Sequence, residues 1–162
     1  MIAIVGGGLA AVKVVEGYRE AGGTGEIVMW SQDPHGPYHR PGLSKRVLRG
    51  EAEPDSVLAH PSEWYADNGV DLRLGDEVRS LDDIEAESIV LATGARPRPL
   101  GDALQLRTLD DSVALKRAAE SAKTAIVIGG GFIGSEVTAS LTQLGVQVTQ
   151  VVREPGVFWT LG

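Results

Sequence analysis

The sequence of 162 residues contains no cysteine. It therefore cannot form a disulfide, a thiolate zinc site, an iron–sulfur cluster or a redox-active Cys-x-x-Cys pair. Any redox chemistry must use a bound organic cofactor. Positive charge is also scarce, since 15 Lys and Arg against 22 Asp and Glu give a net charge of −7. This acidic balance argues against a nucleic-acid partner, which favours a basic stripe.

The sequence also lacks long apolar runs and basic amphipathic stretches. No segment reaches the length of a membrane-spanning helix, and no basic amphipathic helix is available for a membrane surface. The first residues enter a short apolar run and a glycine turn, unlike a secretory signal. We therefore predict a cytoplasmic protein with no membrane partner. His35 and His39 lack acidic or cysteine neighbours at ligand spacing, so we interpret them as loop residues and predict no metal site.

Two glycine-rich turns stand out against these absences. The first follows a β-branched run at 2–5 and precedes a helical pattern at 9–20, with a second strand at 26–30. Its spacing, Gly6-x-Gly8-x-x-Ala11, fits the dinucleotide fingerprint. The first glycine allows a tight turn, the second admits a pyrophosphate, and the small third residue lets helix and strand pack closely. A purely structural turn is the alternative, but the position between strand and helix favours nucleotide binding.

The second turn, Gly129-x-Gly131-x-x-Gly134, matches the full fingerprint. It lies between predicted strands at 125–128 and 146–152, with a predicted helix at 132–144. Two such turns in one chain indicate two nucleotides, a combination typical of flavoproteins that take hydride from a nicotinamide.

Each fingerprint also favours an acid at the end of its second strand, where it holds ribose hydroxyls. In the first unit only Asp33 is in range, and the alternative is that Asp33 starts a turn with Pro34. In the second, no acid stands near Val152, and Arg153 follows, with Glu154 beside it. Because an arginine there suits a 2′-phosphate, the pattern favours NADPH.

The remaining pattern completes an α/β fold. It predicts helices at 45–49 (capped by Ser44), 61–68 and 110–122 (capped by Asp110 or Asp111). It predicts further strands at 70–74, 77–81 and 87–92.

Five segments in a fixed order resemble the FAD-dependent NAD(P)H:ferredoxin and rubredoxin reductases that serve oxygenases and cytochromes P450. The segments are Gly6–Ala11, Pro37–Lys45, Leu91–Pro97, Leu106–Asp111 and Ile128–Val137. The resemblance implies a Rossmann-like FAD-binding domain at 1–109, followed by the start of a second Rossmann-like, NAD(P)-binding domain at 110–162.

The resemblance also implies residue roles. Lys45 and Glu136 would meet beside the flavin ring as the catalytic pair; alternatively, Lys45 is a solvated lysine and Glu136 an exposed acid favoured by the helix dipole. The residues expected to hold FAD are Gly6, Gly8, Leu9, Ala10, Ala11, Asp33, Arg40, Lys45, Val78, Ala92, Thr93 and Gly94. Those expected at NAD(P)H are Gly129, Gly131, Phe132, Ile133, Gly134, Glu136 and Arg153.

The implied function is transfer of hydride from NAD(P)H to FAD, then of electrons to a ferredoxin- or rubredoxin-like protein. One alternative is a nucleotide-binding module without turnover. Another is a flavin-dependent reductase with a different acceptor, such as nitrite reductase or a peroxide-consuming oxidase. Family members continue beyond position 162, and Asp82-Asp83 stands where they carry a hairpin. We therefore expect an incomplete reductase, truncated or with omitted segments, that needs its first part, a partner chain or a homodimer to cover residues 124–162.

Overall fold

The computed structural model describes residues 1–159 and confirms the α/β class. Over these residues strands and helices alternate, except that the strands at 70–74 and 88–91 follow each other with only a 3-10 turn between them. The strands are β1 (Ile2–Val5), β2 (Ile27–Ser31), β3 (Val70–Leu74), β4 (Ser88–Leu91), β5 (Thr124–Ile128) and β6 (Gln147–Val151). The helices are α1 (Leu9–Glu20), α2 (Ser62–Asp67), α3 (Leu109–Ser121) and α4 (Phe132–Gln143).

The chain divides into two compact units. The first comprises Met1–His39 and Leu58–Arg96. It contains a parallel sheet in the order β3-β2-β1-β4, in which β1 pairs with β2 from Ile2 opposite Ile27. Its core joins the sheet to α1 and α2, because apolar residues of all three elements are buried together. These residues are Ile4, Ala11, Val12, Val15, Ile27, Met29, Tyr65 and Val70.

The second unit comprises Arg40–Val57 and the chain from Pro97 onward. Here β5 and β6 pair in parallel from Thr124 opposite Gln147. One face of this pair packs with α3 and α4 around a core of Leu48, Ala119, Val137, Leu141 and Val146. Leu48 brings the segment after the 3-10 turn Arg40–Gly42 into this core. The predicted domain boundary at 109/110 stays a prediction.

Two predicted elements are wrong. Residues 77–81 form no strand, because the chain leaves β3 at Gly75, whose φ is +67°, and turns across the end of β2. There the Asp76 N–H donates to the Ser31 carbonyl at 2.9 Å. Residues 45–49 form irregular turns rather than a helix. The Leu43 and Ser44 carbonyls accept hydrogen bonds from distant serine hydroxyls, so they do not serve a regular helical ladder.

The predicted caps of α3 are also wrong, by two or three positions. Thr108 is the N-cap, and its hydroxyl accepts the Asp111 N–H at 3.1 Å. Asp111 in turn accepts the Thr108 N–H at 2.8 Å, which completes a capping box. The Thr-x-x-Asp spacing carries this signal in the sequence.

Candidate functional site

The first glycine turn fits tightly against the chain that follows β4. Gly6 has a φ of +124°, and a Cβ placed on it would lie 2.1 Å from the Ala92 carbonyl oxygen and 3.0 Å from the Thr93 nitrogen. The Ala92 N–H donates to the Val5 carbonyl at 2.8 Å. Gly94, two residues on, also has a positive φ, +71°. The structure therefore brings the first glycine and the Ala92–Gly94 segment together, and the FAD contacts of these residues stay a prediction.

The second glycine of this turn faces open space instead. Gly8 is the N-cap of α1, with ordinary extended angles (φ −94°, ψ −179°) and no side-chain cap on the helix. A Cβ on Gly8 would meet none of the described atoms within 4 Å. The amides of Leu9 and Ala10 begin the helix there, while Ala11 is fully buried. An uncapped helix start with room in front of it suits a phosphate anion.

The second turn repeats this geometry nearly angle for angle. Gly129 has a φ of +122°, and Gly131, the N-cap of α4, has φ −82° and ψ −175°. A Cβ on Gly131 again has no described atom within 4 Å, whereas one on Gly134 would lie 2.4 Å from the Gly129 carbonyl oxygen. Phe132 and Ile133, the first two helical residues, are each more than half exposed. Dinucleotide binding requires both a close approach of helix and strand and an open second glycine.

Val78 lines a cavity of about 290 Å³ in the first unit. Trp30, at the end of β2, forms another part of its wall, and the Arg73 guanidinium lies over the Trp30 ring at 5.0 Å. Flat aromatic and guanidinium surfaces of this kind suit a nucleobase. Sequence reasoning did not single out Trp30 or Arg73, because their pairing depends on the register of β2 with β3.

Asp33 has both carboxylate oxygens in use. Oδ1 accepts the His35 N–H at 3.0 Å, and Oδ2 accepts the Tyr38 hydroxyl at 2.7 Å. The first bond closes a turn through Pro34, which is the geometry of the alternative interpretation of Asp33. A ribose contact by this residue stays a prediction.

In the second unit, Lys45 and Glu136 lie in contact, as the resemblance implies. The Lys45 ammonium is 2.9 Å from Glu136 Oε1, and the Ser44 hydroxyl donates to Oε2 of the same carboxylate. Partial burial of Glu136 favours its protonated form, but the bonds from Ser44 and Lys45 outweigh that effect and lower the pKa of Glu136. The carboxylate is thus held ionised between a cation and a hydroxyl.

Arg40 lines a small cavity in the second unit. Leu43, Ser44 and Ile133 form other parts of its wall, and so does Arg107, to which sequence reasoning gave no role. Arg107 belongs to Leu106–Asp111, one of the five segments that carry the resemblance, so a signal for it is present in the sequence. Two arginines around one cavity fit an anionic ligand.

Arg153 is highly exposed and already has a partner. Its Nη2 lies 2.7 Å from Glu154 Oε1, and the hydrogen bond from Arg153 lowers the pKa of Glu154. Arg153 follows the end of β6, and its guanidinium lies on the neighbouring acid.

Within residues 1–159 no three His, Asp or Glu side chains come close enough together to hold a metal ion. None of the helices in the same range is long and apolar enough to cross a membrane.

The chain is similar to proteins of known function. Residues 1–161 match the model of the pyridine nucleotide-disulphide oxidoreductase family. The biphenyl dioxygenase system ferredoxin–NAD(+) reductase component of Paraburkholderia xenovorans is 39% identical over 91% of the chain and 41% of its own length. The chlorobenzene dioxygenase ferredoxin reductase component of Cupriavidus sp. is 37% identical over 91% of the chain and 40% of its own length. The chain thus spans about two-fifths of these relatives.

A solved structure shows the same fold. The reductase in a covalent putidaredoxin reductase–putidaredoxin complex superposes with a TM-score of 0.90 at 32% identity, over 98% of this chain and 43% of that one. The family carries disulphide chemistry in its name, yet this chain has no cysteine to perform it. From the match over residues 1–161, the chain belongs to the pyridine nucleotide-disulphide oxidoreductase family.

Proposed function

We propose that the chain works as an FAD-dependent NAD(P)H reductase that passes electrons to a ferredoxin- or rubredoxin-like protein. In this proposal residues 1–109 bind FAD and residues 110–162 form the first part of the NAD(P)-binding domain. The observation that carries it is the repetition of one turn geometry at Gly6–Ala11 and Gly129–Gly134, each with an open second glycine. Two sites of this kind in one chain match the FAD and the NAD(P)H that an FAD-dependent reductase binds.

The residues present fit an FAD molecule. The Leu9 and Ala10 amides at the start of α1 would hold its pyrophosphate, with Gly8 leaving room for it. The cavity beside Val78 and Trp30 would take the adenine ring. The flavin, when bound, supplies the chemistry, because it accepts a hydride from nicotinamide and releases electrons singly.

Lys45 and Glu136 are the proposed catalytic pair. Lys45 would present its ammonium to the flavin, and Glu136 would hold that ammonium in place before nicotinamide binds. The Lys45 side chain is 45% exposed, so it is free to exchange Glu136 for a ligand group. Glu136 follows the second glycine turn on α4, which would link occupancy of that turn to the position of the pair.

For the nicotinamide we propose NADPH over NADH. In this proposal the exposed Arg153 would bind the 2′-phosphate, which would replace Glu154 as its hydrogen-bonding partner. The relative from Paraburkholderia xenovorans, by contrast, is named as a ferredoxin–NAD(+) reductase component.

The test is electron delivery. The protein, supplied with FAD and NADPH under anaerobic conditions, should reduce a two-iron ferredoxin or a rubredoxin, followed at the visible band of the acceptor. Lys45→Ala should slow the reaction about tenfold or more, because one charge-assisted contact at the reacting group is lost. Lys123→Ala, at an exposed lysine of the same unit, is the matched control. Reduction that proceeds equally well without FAD would contradict the proposal.

A second candidate is a nucleotide-binding module without turnover of its own. It is favoured by the outer face of the β5–β6 pair, where Ile126 and Ile128 are 71% and 59% exposed and Val151 is 48% exposed. Such an apolar face favours a covering layer from a partner chain or a homodimer. Tight FAD binding without electron transfer to any acceptor would support this candidate.

A further inference from the structure

The turns that carry Lys45 are held by hydroxyl groups from two different helices. Ser112 of α3 donates to the Leu43 carbonyl at 2.7 Å, and Ser140 of α4 donates to the Ser44 carbonyl at 2.7 Å. Both serines are almost completely buried, with 0% and 1% of their surface exposed. A buried carbonyl needs a partner, and these two consecutive carbonyls receive theirs from residues far along the chain.

Ser140 also receives a hydrogen bond, which ties the far end of the turns to α4. The Arg49 Nη1 donates to the Ser140 hydroxyl at 3.2 Å. One hydroxyl therefore holds the segment at Ser44 and again at Arg49. Since Ser140 lies one helical turn after Glu136, the same face of α4 anchors the backbone and the carboxylate.

The third hydroxyl, that of Ser44, acts on the carboxylate directly. It is 4% exposed and donates to Glu136 Oε2, while Lys45 occupies Oε1. A partly exposed ion pair such as Lys45–Glu136 fixes geometry poorly, because solvent screens it and two side chains must be ordered. The geometry of this pair must therefore be fixed by the hydrogen bonds of the buried residues Ser44, Ser112 and Ser140.

We propose that Ser44, Ser112 and Ser140 form a hydroxyl latch that positions Lys45 against Glu136. Ser112 and Ser140 fix the backbone from which Lys45 projects, and Ser44 keeps Glu136 in place when Lys45 turns towards a ligand. The latch is a property of the protein without nucleotide. Its use in catalysis rests on the proposed reductase function.

The first test is trypsin cleavage of the chain without nucleotide, since Lys45, Arg46 and Arg49 are trypsin sites within the latched turns. Ser140→Ala and Ser112→Ala should each speed cleavage there about five- to tenfold, because each leaves a buried carbonyl without a donor. The controls are Thr142→Ala on α4, whose hydroxyl bonds only within its own helix, and Ser121→Ala at the exposed end of α3. Equal cleavage in latch and control variants would overturn the proposal.

The second test separates positioning from simple packing. Titration of the Glu136 side-chain carboxyl by NMR should show a higher pKa in Ser44→Ala and a restored one in Ser44→Thr, which keeps a hydroxyl at that position. A Glu136 titration that is the same in Ser44→Ala and the unaltered chain would refute the role of Ser44. Neither test involves FAD, so a failed latch and a failed reductase function give different results.

Discussion

Replacing Gly8 by alanine should separate nucleotide binding from folding. Gly8 has angles that alanine adopts readily, and the added methyl would meet none of the described atoms within 4 Å. Loss of glycine from the unfolded chain stabilises by about 0.4–1 kcal/mol, and alanine is a poorer N-cap by a similar amount. We therefore expect the free energy of unfolding to change by less than about 1 kcal/mol.

FAD binding should respond very differently. The methyl would occupy the space through which the pyrophosphate approaches the start of α1. One lost charge-assisted hydrogen bond costs about 1.5–3 kcal/mol, and each 1.4 kcal/mol is tenfold in affinity. The dissociation constant for FAD should rise about 10- to 100-fold, measured by quenching of flavin fluorescence.

Two companion variants make the comparison sharp. Gly6→Ala places its methyl 2.1 Å from the Ala92 oxygen at a φ of +124°, so it should cost more than about 3 kcal/mol in urea unfolding. Gly17→Ala, inside α1 with open space around it, should stabilise by about 1 kcal/mol and leave FAD binding unchanged. If Gly8→Ala binds FAD as tightly as the unaltered chain, the nucleotide does not cross this turn.

Three further changes have defined outcomes. Tyr65→Phe should raise the free energy of unfolding in urea by about 1 kcal/mol, because the buried Tyr65 hydroxyl has no partner among the described residues. Burial and nearby Glu16 also raise the pKa of this hydroxyl to about 12. Tyr18→Phe should lower the free energy of unfolding instead, because the Tyr18 hydroxyl accepts the Gly25 N–H. The folded pKa of Glu136 lies below its usual value near 4.5, so its contribution to the free energy of unfolding is present above that pH and is lost as the pH falls through the folded pKa. Glu136→Gln should not show this loss of stability when its unfolding is measured at falling pH. Arg153→Ala should weaken binding of 2′,5′-ADP about tenfold and leave binding of 5′-AMP unchanged; equal losses for both ligands would refute a 2′-phosphate site.

The glycine turns could be predicted from the sequence because their requirements are local. A positive φ at Gly6 and a close approach at Gly134 follow from the spacing of small residues between a strand and a helix. The Lys45–Glu136 contact joins residues far apart in the chain, and only the resemblance to a family predicted it.

The two wrong elements have a common cause in long-range hydrogen bonds. Residues 45–49 have helical propensity, but Ser112 and Ser140, far along the chain, bond the Leu43 and Ser44 carbonyls just before them. Residues 77–81 alternate like a strand, yet the bond from Asp76 to Ser31 directs them across the sheet end. Local patterns contain no information about such partners, so tertiary contacts override them.

The reductase function is tested most directly by the visible spectrum of the purified chain after incubation with FAD and removal of free flavin, recorded anaerobically before and after NADPH is added. We expect a bound flavin band that bleaches with NADPH. In Gly131→Ala, whose methyl would obstruct only the second turn, we expect bound flavin that no longer bleaches. A chain that retains no flavin would contradict the assignment of the first turn. Retained flavin that NADPH and NADH both leave oxidised would contradict the reductase function and leave the binding module in its place.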